Sequence, residues 1–221
     1  MLEPHDPIVR GTLTRMIAER GHAPTVDELA ERAGVASAAA EASLRRLHDA
    51  RALLLHPGGC RPWIVHPFAL SAASCWVQTE RLGYWASCLY CAFGIAACLG
   101  CDAEITTRIG GEAEPVRYSI RDGRPPAGDD IFHLSIPPTR WWDNVIAACA
   151  SFQPFHCEDD VEAWCARHAM DRGATLSIAQ LWEFARDWYG AYLDSPWRKR
   201  TAAEARALFD RHGLRSAFWQ L

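Results

Sequence analysis

Nine cysteines occur in 221 residues, and four of them, Cys88, Cys91, Cys98 and Cys101, fall in one short run. Thiolates are nucleophiles and preferred ligands of soft metals, so clustered thiols point to capture of such an ion. The stretch from Trp85 to Leu99 lacks proline and is rich in alanine and leucine, which predicts a helix. On that helix Cys88, Cys91 and Cys98 share one face, because residues three, four and seven apart form a stripe. The four cysteines also read as a Cys-x2-Cys-x6-Cys-x2-Cys array for zinc or an iron–sulfur cluster. Structural zinc pairs usually sit on turns, however, and a helix favours core packing for Cys98 while leaving Cys101 open.

Composition narrows the partners. The chain is 49% hydrophobic, enough for a substantial core. Its net charge of -4 argues against an electrostatic grip on nucleic acid or an anionic membrane. No apolar run approaches the ~20 residues that span a bilayer. The opening Met1-Leu2-Glu3-Pro4-His5-Asp6 lacks the basic start and apolar middle of a signal peptide, so a cytoplasmic protein with free thiols is expected. Lys199 is the only lysine, which leaves little scope for lysine nucleophiles.

The elements that must position the thiols are legible in outline. A helix is predicted from Pro7 to Arg20, with Ile8, Leu13 and Ile17 as its apolar positions. A second opens with the capping box Thr25-Val26-Asp27-Glu28 and stops at Gly34. A third starts at Ser37 and runs through Leu44, Leu47 and His48. Leu53-Leu54-Leu55, the turn Pro57-Gly58-Gly59 and Trp63-Ile64-Val65 make a hairpin, completing the pattern of a winged helix-turn-helix. Strands are expected at Ser74 to Val77, Glu104 to Ile109, Val116 to Ile120 and Ile131 to Ile136. A helix beginning near Thr139 is expected to carry Trp141, Trp142 and Cys149. Further helices are expected at Glu158 to His168, Ser177 to Leu193 and Thr201 to His212, the last opened by the capping box Thr201-Ala202-Ala203-Glu204.

Several of these segments together resemble the organomercurial (alkylmercury) lyases. They are Tyr84-Trp85-Ala86-Ser87-Cys88, then Gly94 to Gly100, then Trp141-Trp142-Asp143-Asn144 leading to Cys149, and Glu162-Ala163-Trp164. The resemblance extends over about residues 10 to 195. It implies an α+β fold with a winged-helix-like three-helix region over residues 1–66. A cysteine-bearing αβ core with mixed or antiparallel strands follows over residues 67–221. It also implies that Cys88 and Cys149 hold mercury, and that the enzyme captures R–Hg(+) and protonolyses its carbon–mercury bond to RH and Hg(II). No resident cofactor is needed, mercury or another soft metal being the substrate and product ligand. The partners implied are an organomercurial, small thiols or a mercury-accepting protein for product release, and neither nucleic acid nor membrane.

One position departs from the family's pattern. Its catalytic aspartate, three residues after the first cysteine, is here Cys91. A carboxylic acid with an ordinary pKa of ~3.9 moves protons readily when burial raises it, whereas a thiol near ~8.5 is a weaker acid and a far better soft-metal ligand. Cys88, Cys91 and Cys149 are therefore the expected catalytic and metal-binding residues. A non-catalytic binder of Hg, Cu or Zn, or a metal-responsive regulator, is the alternative. The start of the third helix, Ser37-Ala38-Ala39-Ala40-Glu41, offers little to base edges or phosphates, which favours a scaffold role for this region. Trp85, Trp141 and Trp142 are candidates for an apolar lid. Asp102, Glu104, Asp143 and Glu158 are candidates to replace the acid, and His156-Cys157 is a candidate extra ligand. Cys60, Cys75 and Cys165 carry no spacing argument.

Overall fold

The computed structural model describes residues 2–194 and 197–221. Three helices lead: α1 (Asp6–Arg20), α2 (Val26–Ala33) and α3 (Ser37–Asp49). The capping box of α2 forms as read, with Glu28 N–H donating to Thr25 Oγ1 at 3.2 Å and Thr25 N–H donating to Glu28 Oε2 at 2.7 Å. Gly34 then ends the helix in the left-handed region, at φ 70°. α3 opens at Ser37, as expected, and the Ser37 hydroxyl donates to Asp27 at 2.6 Å, tying α3 to α2. One detail differs from expectation. Ile8 is 47% exposed, and the buried stripe of α1 is Val9, Leu13, Met16 and Ile17.

Asp6, at the start of α1, is fully buried and receives hydrogen bonds from the Arg46 guanidinium at 2.8 and 3.0 Å, the Ser43 hydroxyl and the Glu3 N–H. Burial alone would raise its pKa, but these donors outweigh it and hold the carboxyl at about 2, below its ordinary 3.8. A depressed acid stabilises the fold above its unfolded pKa and loses that stabilisation as pH falls through the folded value. Asp6→Ala is therefore expected to lower unfolding free energy by about 2–3 kcal/mol near neutrality. In urea titrations the gap to wild type should shrink below about pH 4 and close near about pH 2. A pH-independent gap would contradict this account.

Short strands follow: β1 (Leu54–Leu55), β2 (Pro62–Val65), β3 (Phe68–Ala69), β4 (Cys75–Gln78) and β5 (Gly83–Ala86). After them come α4 (Leu89–Leu99), β6 (Ala103–Arg108), β7 (Pro115–Ile120) and β8 (Ile131–Leu134). A 3-10 turn at Pro138–Arg140 precedes α5 (Val145–Ala150). The chain then forms β9 (Gln153–Phe155), α6 (Glu158–His168), β10 (Ala174–Ser177), α7 (Ile178–Tyr189) and α8 (Ala202–Arg211). Two antiparallel sheets result, one ordered β1-β2-β3-β5-β4-β6-β7 and the other β10-β8-β9, giving an α+β fold. The hairpin after α3 thus belongs to the large sheet, and one hydrophobic core runs from Val9 to Trp219 across position 66. Among the described residues no helix is long and apolar enough to cross a membrane.

α4 lies between the large sheet and α7. It carries no charged residue, as a helix buried on all sides should not. Gly94 permits the close approach: a Cβ there would stand 2.4 Å from the Tyr189 ring of α7. The capping box at Thr201 and Glu204 forms and opens α8. α7 ends at Tyr189, short of the expected Leu193.

Candidate active site

α4 is shorter than the sequence predicts, and this changes how the thiols meet. Residues 83–86 are strand β5, whose alternation buries Tyr84 and Ala86 while leaving Trp85 half-buried on the other face against Trp76. Cys88 is the N-cap of α4, with extended φ −157° and ψ 174°, rather than a member of its stripe. Cys91 is the third helical residue, and N-cap and N3 side chains face each other, the relation a capping box uses. The Cys88 and Cys91 sulfurs accordingly lie 3.7 Å apart, within hydrogen-bond reach.

Cys149 comes from α5. That helix starts after Trp141 and Trp142, not near Thr139, because Asn144 caps it, its Oδ1 accepting from Ala147 N–H at 3.1 Å. The ligand atoms of Cys149, Cys91 and His66 all lie within 4.8 Å of one another. His66 is a site residue that sequence reasoning missed. It lies in the turn between β2 and β3, and β3 pairs with β5, the strand that leads to Cys88. Its carbonyl accepts from Arg10 Nη2 at 2.9 Å, its ring meets Trp142 edge-on at 5.5 Å, and its buried Nδ1 has no hydrogen-bond partner.

The electrostatics separate the three thiols. Burial opposes ionisation of Cys88, but the thiols of Cys149 and Cys91 and the nearby Cys91 N–H outweigh it, holding Cys88 well below the ordinary thiol value. Cys91 is pushed well above that value by its neighbours Cys149 and Cys88, then by burial. Cys149 is also raised well above it, chiefly by Cys88. One thiolate therefore stands beside two protonated thiols. Burial brings His66 down to about 4, so its imidazole is neutral near pH 7.

These groups line a cavity of about 280 Å³, together with Tyr90, Trp141, Trp142, Phe152 and Tyr189. Of the three tryptophans considered for a lid, Trp141 and Trp142 line the cavity and Trp85 does not. No aspartate or glutamate lines it among the described residues. Asp102 accepts from the Asp122 N–H, Glu104 pairs with Arg121, Asp143 with Arg140 and Glu158 with Arg172. The four carboxylates considered as replacement acids are thus engaged elsewhere.

The four-thiolate array is not assembled. Cys98 is buried seven residues beyond Cys91, about 10 Å along the helix axis. Burial pushes its thiol up to about 12. Cys101 is exposed beyond the helix terminus at Gly100. Cys60 is half-buried, Cys75 is buried in β4, and Cys165 is buried 3.9 Å from His133. Exposed Cys157 caps α6, and His156 bonds Asp130 and Glu114 at the surface. None joins the His66, Cys91 and Cys149 group.

Comparison with known proteins places this geometry. No protein of curated description matches the chain by sequence. A solved structure described as the mercury-bound form of MerB2 shares the fold with a TM-score of 0.67 at 15% identity, covering 87% of this chain and 93% of that one. Residues 68–190 match the family described as alkylmercury lyase. The chain belongs to the alkylmercury lyases, enzymes that cleave the carbon–mercury bond.

Proposed function

We propose that Cys88, Cys91 and Cys149 perform this cleavage as a three-thiol site, with His66 as an additional nitrogen donor. The observation that carries the reading is the gathering of one thiolate and two thiols in a cavity that no carboxylate lines among the described residues. Groups whose environments drive their pKa values apart are the natural base and acid of a site.

In the first step the Cys88 thiolate attacks mercury in R–Hg–X, where X is a small thiolate. A sulfur–mercury bond forms and X leaves, taking the proton of Cys149 as XH, so that Cys149 becomes the second sulfur ligand. The carbon–mercury electron pair then takes the proton of Cys91. RH departs, and the Cys91 sulfur, now a thiolate, closes on Hg(II). Charge balances, because R–Hg(+) on two thiolates and Hg(II) on three both carry one negative charge. A carboxylic acid can supply the proton but binds mercury poorly once spent, whereas Cys91 can do both. The neutral His66 imidazole holds a lone pair toward the same centre. Bulk thiol then removes Hg(II) by exchange, since thiolate ligands are traded by direct attack. Mercury enters as substrate and leaves as product, and the cycle needs no resident cofactor.

Turnover of phenylmercury by the reduced protein in excess small thiol tests this. Benzene release over many cycles is the expected result. Stoichiometric mercury retention without benzene would instead make the site a soft-metal trap built on the lyase fold.

A further inference from the structure

The cavity also has a cationic end, whose charge is opposite to that of the whole chain. In a protein of net charge −4, Arg10, Arg51, Arg198, Lys199 and Arg200 all line this one cavity, and no aspartate or glutamate does so among the described residues. Arg198 is neutralised by a two-pronged pair with Glu204, at 2.5 and 2.8 Å. Arg10, Lys199 and Arg200 are held by neutral carbonyl and hydroxyl groups.

Lys199, Arg10 and Arg51 converge on the turn after α3. Lys199 Nζ donates to the Ala50 carbonyl at 2.7 Å, and Arg10 Nε donates to the Ala52 carbonyl at 3.1 Å. Arg51 stands between those two residues with φ 58°, the left-handed region that costs a residue with a Cβ about 1–2 kcal/mol. Arg10 is only 1% exposed, and burial lowers it to about 10, which leaves it charged at neutral pH. Arg200 donates to the carbonyls of Trp188 and Asp187 and lies over the Trp188 ring at 4.8 Å. Gathering like charges beside a low-dielectric wall is unfavourable unless an anion completes the set. The three-thiol cleavage uses none of these cations, although Arg10 also donates to the His66 carbonyl at 2.9 Å. Every one of these cations also lies outside residues 68–190, the span shared with the family.

We propose that this cationic end binds a carboxylate carried by the mercurial, so that the protein's substrates are anionic organomercurials: a carboxylated R group, or a mercurial delivered as its complex with a carboxylated thiol. The inference rests on the three-thiol reading for the position of mercury. Carboxylate and mercury would then share one cavity of about 280 Å³, the scale of one substituted ring.

The test measures association by stopped-flow tryptophan fluorescence, using Trp141 and Trp142 as reporters beside the thiols. Phenylmercury is compared with 4-carboxyphenylmercury, both supplied with a neutral thiol, and each rate is divided by that for a free dithiol. A further arm supplies phenylmercury as its complex with a γ-glutamyl tripeptide thiol, which locates the carboxylate on the thiol instead. At low ionic strength a carboxylated arm should bind about tenfold faster than the neutral one. The advantage should fade toward unity in about 1 M sodium nitrate, where charges are screened within about 3 Å. The variant Arg51→Gln/Lys199→Gln should lower it at low salt. Equal rates in all arms at low salt would overturn the inference and leave the lyase reading standing. A salt-independent preference would also overturn it, without reference to any variant. Uptake of neither mercurial would overturn both.

Discussion

Cys88→Ala is expected to reduce carbon–mercury cleavage by about three orders of magnitude or more, the scale of losing an activated nucleophile. The size follows from the division of labour among the thiols. Cys88 is the one held well below its ordinary pKa, so it is the sulfur that is already a thiolate when substrate arrives. Removing it also removes the charge that keeps Cys149 protonated, since Cys88 is the largest influence raising that group. Cys149 should then ionise more readily and take up mercury slowly, with one sulfur bond in place of two. The variant is thus expected to retain weak mercurial binding while losing turnover. The pH profile supplies the check. Capture by the wild-type protein should stay nearly flat down to well below about pH 8.5, where an ordinary thiol loses about tenfold per unit. Capture by the variant should fall steeply over the same range. A variant with the wild-type profile would show that Cys88 is not the attacking sulfur.

That assignment depends on local geometry only partly legible in the sequence. The cysteine spacing and the flanking motifs located Cys88, Cys91 and Cys149, and the structure brings all three to one cavity. The expected helical stripe was the wrong device. Gly83-Tyr84-Trp85-Ala86 pairs with β4, and aromatic residues favour a pleated, half-buried strand over the helix that the Ala/Leu count of the wider window suggests. Once the helix begins at Leu89, Cys88 becomes a cap and Cys98 falls away from the site. Asn144 similarly marked the true start of α5, a cap signal overridden in the sequence by the run of tryptophans before it. His66 had no local signal at all. It reaches the site through the pairing of β3 with β5, a long-range contact that no spacing along the chain encodes. The cationic end is of the same kind, because α1, the turn after α3 and residues 198–200 meet only in the folded chain.

The substitution that most sharply separates capture from cleavage is Cys91→Ala. It leaves the attacking thiolate of Cys88 and the second ligand Cys149 in place, and it removes the proton that the departing carbon must take. No carboxylate lines the cavity among the described residues, and the phenols that do, Tyr90, Tyr189 and Tyr192, are all raised above their ordinary pKa by burial. Positioned general acids contribute about 10²- to 10⁴-fold, so hydrocarbon release should fall by that factor while mercurial uptake persists. The expected state is a protein carrying R–Hg with its organic group intact, which intact-protein mass spectrometry reads directly as the added mass of R together with mercury. Cys91→Asp completes the comparison, restoring a proton donor without a soft ligand. It should recover cleavage relative to the alanine variant but hold Hg(II) on two sulfurs rather than three, and so release it to external thiol faster than wild type. Loss of uptake in Cys91→Ala would mean that the third sulfur is needed to bind the substrate at all. Unchanged benzene release would mean that the proton comes from elsewhere, and Tyr90→Phe would then be the decisive variant, because the Tyr90 hydroxyl is buried with no hydrogen-bond partner.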